Sequence, residues 1–398
     1  MKVASSIDVP DWMGMPEIKT LWAALNDDGV DAPQTLFVGG CVRNALLGEA
    51  VTDIDLATTY TPDEVTARLT AAGIKVIPTG IDHGTVTAVI GKKSFEITTL
   101  RKDVETDGRH AVVSFSIDWQ EDAQRRDFTM NTLLADMQGN VYDPTGQGLD
   151  DLKARKVRFV GAAKDRIAED YLRVLRYFRF QALYGEGEAD SAILTECKDA
   201  APYVEELSRE RITQEMFKII MVDKPDGILR IMRDNSILPA LFDLDRQDLS
   251  LLGHLAQFQG QYEAEQLSAR LLVLAAFDLA QLISFERYLL VPKVIFKDAK
   301  LIIGALGCGA PGDEQTLKVA LYKYGRTATM QALMIALARD EVNNKDASAA
   351  LGIIQGWDIH DFPMSGDDLI KEGYKPGPDL GAELSRREDM WIKGGFGE

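Results

Sequence analysis

The sequence predicts an α+β protein: a mixed head of short strands and helices followed by a long, almost wholly helical array. Three observations carry that expectation. Between about Leu36 and Asp143, apolar residues alternate or gather in short β-branched runs. After Pro144 the period changes. From Ala168 onward nearly every segment repeats at helical spacing, punctuated by Pro202, Pro225, Pro239, Pro292 and Pro311. The chain has 398 residues, enough for roughly two to four domains with cores of their own.

The head is read element by element. Leu36 to Val38 is a strand, Gly39-Gly40 a turn, and the run to Gly48 the start of a helix. Asp53 to Ala57, Thr85 to Ile90 and Ser94 to Thr98 are further strands. Thr61 to Ala72 opens on Thr-Pro with an acidic first turn, so it is a helix that Gly73 ends. Lys102 to His110 is polar and aperiodic, hence a flexible loop. Arg125 to Asn131 is a charged cluster before an apolar helix at Thr132 to Ala135. Asp143 to Leu152 has turn chemistry at Pro144 and Gly146 and joins the head to the helices. Beyond it, Glu169 to Arg179 reads as one helix, with Leu172, Leu175 and Phe178 as its buried stripe. Ser208 to Glu215 reads as an N-capped helix, and Asp361 to Pro378 as a loop-rich docking segment.

Composition removes several classes. No apolar run reaches the length of a membrane span; Leu271 to Phe277 is among the longest and is flanked by Arg270 and Asp278. Met1 to Thr20 lacks the basic and apolar regions of a signal peptide and contains Asp and Glu but no Arg, so a cytoplasmic location is expected. Cys41, Cys197 and Cys308 are odd in number and far apart, which implies neither disulfides nor a zinc site. A net charge of −18 disfavours indiscriminate binding to polyanions. Yet Lys153 to Arg179 holds nine Lys/Arg against three Asp/Glu, a basic island in an acidic chain. That distribution suits selective RNA handling, the alternative being a solvated helix face.

The chemistry concentrates in three blocks. Asp53 and Asp55, one residue apart on a strand, project to the same side while Ile54 and Leu56 face the core. Two carboxylates that close repel unless a cation lies between them, and hard oxygen ligands with open positions suit Mg²⁺. The glycine turn upstream can approach phosphate, with Arg43 near it for charge. Together these point to phosphoryl or nucleotidyl transfer; Asp-x-Asp alone is also compatible with a surface acidic strand. Glu96, between Phe95 and Ile97, is either a third carboxylate of this group or an edge-strand residue in solvent. Arg126 could bind triphosphate through its fork, with Asp127 accepting from a ribose hydroxyl or fixing that arginine. Asp170 and Arg173, at i, i+3 on the expected helix, can offer an acceptor and a donor fork to the edge of a base, or simply pair with each other. Arg176 and Arg179 extend the basic track. The four histidines, His83, His110, His254 and His360, are scattered, and no nucleophile motif, Walker loop or dinucleotide fingerprint is present.

In this order the blocks resemble the class II tRNA nucleotidyltransferases, the CCA-adding enzymes and their poly(A) polymerase relatives. The resemblance runs through Gly39-Gly40-x-Val42-Arg43-Asn44-x-Leu46-Leu47-Gly48, Asp53-x-Asp55, Arg125-Arg126-Asp127 and Glu169-Asp170-x-x-Arg173. It continues through Glu210-Arg211, Ser365-Gly366-x-Asp368-Leu369 and Pro376-Gly377-Pro378. Asn44 departs from it, since many relatives carry aspartate there. The resemblance implies a mixed-sheet nucleotidyltransferase head over residues 1–150. An all-helical neck (151–235), body (236–340) and tRNA-docking tail (341–398) would follow. It implies that Asp53 and Asp55 bind Mg²⁺, with Glu96 beside them, and that Gly40, Arg43 and Arg126 hold triphosphate and ribose. Asp170 and Arg173 would act as an amino-acid template that selects CTP and then ATP, supported by Arg176 and Arg179. The segment Lys102 to His110 resembles an element needed for the final A. The implied reaction is template-independent addition of C, C and A to the 3′ end of tRNA. A poly(A) polymerase on the same scaffold, a non-catalytic RNA-binding module and a small-molecule nucleotidyltransferase are the alternatives.

Overall fold

The computed structural model describes residues 1–26, 33–81, 84–107, 110–242, 248–309 and 312–397; His83 lies outside them. The chain forms two compact units, Met1–Leu207 with Asn235–Ala240, and Ser208–Asp234 with Leu241–Glu398.

The first unit is built on a mixed sheet of eight strands. They are β1 (Ser5–Ser6), β2 (Thr35–Val38), β3 (Asp55–Thr58), β4 (Lys75–Gly80), β5 (Thr85–Ile90), β6 (Lys93–Thr99), β9 (Leu134–Ala135) and β10 (Asn140–Tyr142). Their order is β1-β10-β9-β2-β3-β6-β5-β4. The β3–β6 pair is parallel and aligns Asp55 with Glu96. Strand β2 is central because all four of its residues are buried. Trp12 and Trp22 pack on Phe37 with ring centroids 4.9 and 5.3 Å apart. Inside the sheet the Thr35 hydroxyl donates to Thr58 Oγ1 at 2.8 Å, so neither buried hydroxyl is left dry and unpaired.

Helices α1 (Pro16–Leu25), α2 (Gly40–Leu47), α3 (Pro62–Ala71), α4 (Trp119–Gln124) and α5 (Gly148–Lys153) belong to the sheet region. Helix α3 has the expected start: Glu64 N–H bonds Thr61 Oγ1, and Glu64 Oε2 accepts the Thr61 N–H at 2.8 Å. Helices α6 (Ala163–Glu169), α7 (Leu172–Tyr184) and α8 (Ser191–Val204) complete the unit.

Three local expectations are corrected. Thr132 to Ala135 is not a helix; Thr129–Asn131 makes one 3₁₀ turn and Leu134–Ala135 inserts as β9 between β2 and β10. The segment is too short to sustain helical hydrogen bonds, whereas the sheet offers it partners on both sides. Lys102 to His110 is not a loop. Its described residues belong to an antiparallel pair of strands, β7 (Arg101–Asp107) and β8 (His110–Phe115); residues 108–109 lie outside the described residues. Backbone pairing needs no apolar alternation, so an aperiodic polar run did not exclude it. Finally, the helix expected from Glu169 to Arg179 breaks at Asp170, whose backbone is extended (φ −159°, ψ 106°). The buried stripe Leu172, Leu175 and Phe178 stands as expected on α7.

The second unit is helical: α9 (Arg209–Ile220), α10 (Pro225–Asp234), α12 (Leu249–Gln261), α13 (Leu267–Leu274), α14 (Leu279–Ser284), α15 (Lys293–Leu306), α16 (Glu314–Ala338), α17 (Asn344–Gly356), α18 (Gly366–Lys371) and α19 (Pro378–Lys393). The short α11 (Ile237–Leu241) falls mostly in the segment assigned to the first unit. Ser208 precedes α9 without making a side-chain cap bond. The segment read as loop-rich contains α18, which Ser365 and Asp368 start: the Asp368 carboxylate accepts the Ser365 N–H at 3.1 Å. Among the described residues, no single helix is long and apolar enough to cross a membrane.

Candidate active site

The residues singled out above line one cleft of about 700 Å³ in the first unit. Asp53, Asp55, Glu96, Gly40, Arg43, Arg126, Asp170, Arg173, Arg176 and Arg179 all face it.

Its floor is the turn from β2 into α2. Gly39 has φ +73° and ψ −122°, a conformation L side chains rarely adopt, and its N–H donates to Leu133 O at 3.2 Å. A Cβ on Gly39 would stand 3.7 Å from Arg126 Nη1, and one on Gly40 3.7 Å from Arg43 Nη2. The bare backbone of the turn therefore runs beside two guanidinium groups, an arrangement that favours an anion.

Asp55 and Glu96 stand on strands β3 and β6, while Asp53 lies in the extended approach two residues before β3, which begins at Asp55 rather than at Asp53 as expected. Ile54 and Leu56 are buried while Asp53 is exposed and Asp55 half-buried, as the alternation requires. Glu96 projects to the open face between buried Phe95 and Ile97, and β6 is an interior strand rather than an edge. Burial, and then the charges of Glu96 and Asp53, push the Asp55 carboxyl up to about 6 against the opposing pull of Arg126. A group so destabilised as an anion is chemically suited to a cation. Among the described residues no cluster of three or more possible ligands stands together. Mg²⁺ held by one or two carboxylates, with substrate phosphate and water for the rest, needs none.

The arginines are more constrained than the sequence suggested. Arg43 is only 7% exposed. Its Nη1 donates to Asn131 Oδ1 at 2.6 Å, and its Nη2 to Tyr184 OH at 2.7 Å. Its Nε and Nη2 reach Asn44 Oδ1 at 3.1 and 2.9 Å, and its Cζ lies 4.0 Å from the Tyr184 ring centre. It is thus anchored in the cleft wall rather than extended toward a ligand. Burial, with the neighbouring Arg179 charge, holds its pKa below the usual arginine value despite Tyr184.

Arg125 and Arg126 share one buried carboxylate. Asp122 Oδ1 accepts from Arg125 Nε at 2.8 Å, and Oδ2 accepts from Arg126 Nε and Nη2 at 3.0 and 2.9 Å. Burial pushes the Arg125 pKa down to about 10. Asp127 does not fix Arg126. It takes Arg176 Nε at 2.7 Å and Nη2 at 2.5 Å, with Asn131 Nδ2 at 3.1 Å. Burial alone would raise the Asp127 carboxyl, but the Arg176 charge and these hydrogen bonds hold it below the usual range.

Asp170 and Arg173 face the same cleft but do not share a helix. Asp170 Oδ1 accepts the Leu172 N–H at 3.1 Å and so starts α7. Arg173 Nη1 pairs instead with Glu169 Oε2 at 2.5 Å and with Arg166 O at 2.8 Å. Arg179 stands over Phe180 with 4.7 Å to the ring centre. Sequence reasoning missed Asp122, Asn131 and Tyr184. Asp122 was findable, because it lies three and four residues before the arginine pair. Asn131 and Tyr184 carry no local signal, since they meet Arg43 from 88 and 141 residues away.

Comparison with known proteins gives concordant results. Residues 35–158 match the model of the Poly A polymerase head domain, and residues 190–244 that of a probable RNA and SrmB-binding site of polymerase A. A Danio rerio protein named CCA tRNA nucleotidyltransferase 1, mitochondrial, is 35% identical over 89% of this chain and 82% of its own length. A Streptococcus sanguinis CCA-adding enzyme is 33% identical over 91% of this chain and 90% of its own. The crystal structure of the Bacillus stearothermophilus CCA-adding enzyme in complex with CTP superposes with a TM-score of 0.78 at 24% identity. That alignment covers 96% of this chain and 94% of the other, and shows the shared fold.

Proposed function

This chain belongs to the CCA tRNA nucleotidyltransferases, and from that membership we propose how its cleft adds C, C and A to the 3′ end of tRNA from CTP and ATP without a nucleic-acid template. The supporting observation is the joining, in one cleft, of a repelling carboxylate group and a set of arginines beside a bare glycine turn.

In this reading the triphosphate lies along the Gly39-Gly40 turn, its charge met by Arg126, Arg176 and Arg179. Arg43 shapes the wall behind it through Asn131 and Tyr184. Asp170 and Arg173 present acceptor and donor groups to the incoming base, and Glu169 holds the Arg173 guanidinium in place. Glu96 and Asp55 stand where the tRNA 3′-hydroxyl gives up its proton as its oxygen attacks the α-phosphorus and pyrophosphate leaves. Asp53 and Asp55 would hold Mg²⁺, which when bound supplies Lewis-acid polarisation of phosphate oxygens and neutralises both carboxylates. Fixed positioning and charge neutralisation provide most of the acceleration in such transfers.

The finer division into head (1–150), neck (151–235), body (236–340) and tail (341–398) belongs to the same proposal, as does recognition of tRNA by shape and backbone. Cytoplasmic residence is proposed as well; relatives include bacterial enzymes alongside vertebrate proteins named mitochondrial. The test is incorporation on tRNA lacking its terminus, with CTP alone, ATP alone, both, and both plus a chelator. Two C residues with CTP alone, completion only when ATP is added, and silence with chelator are expected. A ladder of A with ATP alone would replace this reading with poly(A) synthesis.

A further inference from the structure

The role of Asp122 is not explained by the reaction itself. Its side chain is only 4% exposed and contacts no substrate-facing space. A buried carboxylate needs cationic or hydrogen-bonding partners, and this one takes two guanidinium groups, one on each oxygen. The pairing leaves the arginine pair one positive charge in excess at the cleft edge. It also sets direction. Arg126 spends its Nε–Nη2 edge on Asp122, so its remaining nitrogen, Nη1, is the one beside Gly39. Arg125 is held in the same way, and its carbonyl is in turn gripped by Arg166 Nη2 at 2.8 Å. The spacing follows from the end of α4: Arg125 caps the helix in a helical backbone conformation and Arg126 N–H still bonds Ala123 O, so residues three and four positions after Asp122 reach back over the same face.

We propose that Asp122 is a positioning residue for nucleotide binding: it fixes Arg125 and Arg126 so that the free edge of Arg126 faces the glycine turn where the triphosphate is read to lie. The proposal rests on the nucleotidyl-transfer reading above. Asparagine in its place keeps the shape but supplies only one acceptor oxygen, and its amide would face a guanidinium donor to donor. One arginine must then let go. A purely structural carboxylate would lower stability on replacement and leave nucleotide affinity alone in the protein that remains folded.

The experiment measures KM and kcat for CTP and for ATP on truncated tRNA, at a temperature where each variant is folded by circular dichroism. Asp122→Asn is expected to raise both KM values by about tenfold with a smaller fall in kcat. Arg126→Lys keeps the charge but lacks the fork, and is expected to do the same. The double variant should be little worse than either single one, because both break the same contact. Unchanged KM values in Asp122→Asn, or effects of the two substitutions that simply multiply, would overturn the proposal. Should Asp122→Asn not fold, unchanged KM values in Arg126→Lys would overturn it. Failure of the underlying reading looks different: the unaltered protein would add neither nucleotide.

Discussion

Two arginines, Arg43 in the first unit and Arg270 in the second, are buried to 7% and 1% exposure, and both donate to neutral acceptors. Arg270 Nη1 donates to Ile220 O and Val222 O at 2.9 and 2.7 Å, and its Nε to Gln259 Oε1 at 2.7 Å. Gln259 passes the chain to Gln331, and Gln331 to Ala264 O, each at 2.7 Å. This guanidinium finishes a helix: it takes carbonyls at the end of α9 that have no partner within it, at the pole where a cation is welcome. Arg43 spends its donors on side chains instead, and Asn44, Asn131 and Tyr184 all line the cleft. Burial depresses the pKa of both. The owner of the acceptors, backbone in one case and cleft side chains in the other, separates a fold-holding arginine from a site-shaping one.

The largest effect comes from variants of the cleft that spare both arginines. Asp53→Ala or Asp55→Ala should reduce nucleotide incorporation by at least about 10³-fold, on the order of 4 kcal/mol of transition-state stabilisation. The urea midpoint should hold or rise slightly, because removing Asp55 relieves its repulsion with Glu96 and Asp53. A large fall in midpoint alongside the lost activity would mean that these carboxylates belong with Arg270, as parts of the scaffold.

Arg270→Met should cost about 3 kcal/mol of stability, since two carbonyls and a glutamine oxygen lose their donor in a dry interior. Equilibrium unfolding measures it. Below the transition the KM for CTP should be unchanged, and a raised KM without lost stability would erase the distinction between the two arginines. Arg43→Met should reverse the balance, with kcat/KM down about 30-fold and stability down about 2 kcal/mol.

How much of this was legible in the sequence depends on the distance over which each contact acts. The strand-turn-helix at Gly39, the Asp53/Asp55 alternation and the α3 start were readable because their partners lie within a few residues. The β7–β8 pair and strand β9 were not. Strand β9 pairs with β2 and β10, the first of them almost a hundred residues away, so its short apolar run misled; β7 and β8 pair only with each other, but their aperiodic polar run gives local periodicity nothing to read. Asp170 shows a finer failure. A carboxylate two residues before Leu172 can also accept that residue's N–H and start a helix, and that role won over the continuous helix the apolar stripe suggested. The true partners of the arginines follow the same rule: Asp122 was within reach of a helical-spacing argument, whereas Asp127 with Arg176 spans 49 residues and needed the fold.

The smallest expected effect uses one motif that occurs in both units. Thr61 with Glu64 starts α3, and Ser365 with Asp368 starts α18. Thr61→Ala should cost about 1 kcal/mol in urea unfolding and leave incorporation unchanged. At α18 the Ser365 hydroxyl, then Lys371, draw the Asp368 carboxyl down to about 2. A carboxylate with a lowered folded-state pKa contributes stability above its ordinary value, and the contribution disappears as pH falls from that value toward 2. Protection of the α18 amides, taken relative to their intrinsic exchange rate at each pH, should therefore fall across that window, and Asp368→Asn should flatten the response while α3 keeps its own. If that protection is indifferent to pH there, Lys371 and the serine hold a helix end that solvent would have satisfied equally well, and the two capping boxes are not energetic equivalents.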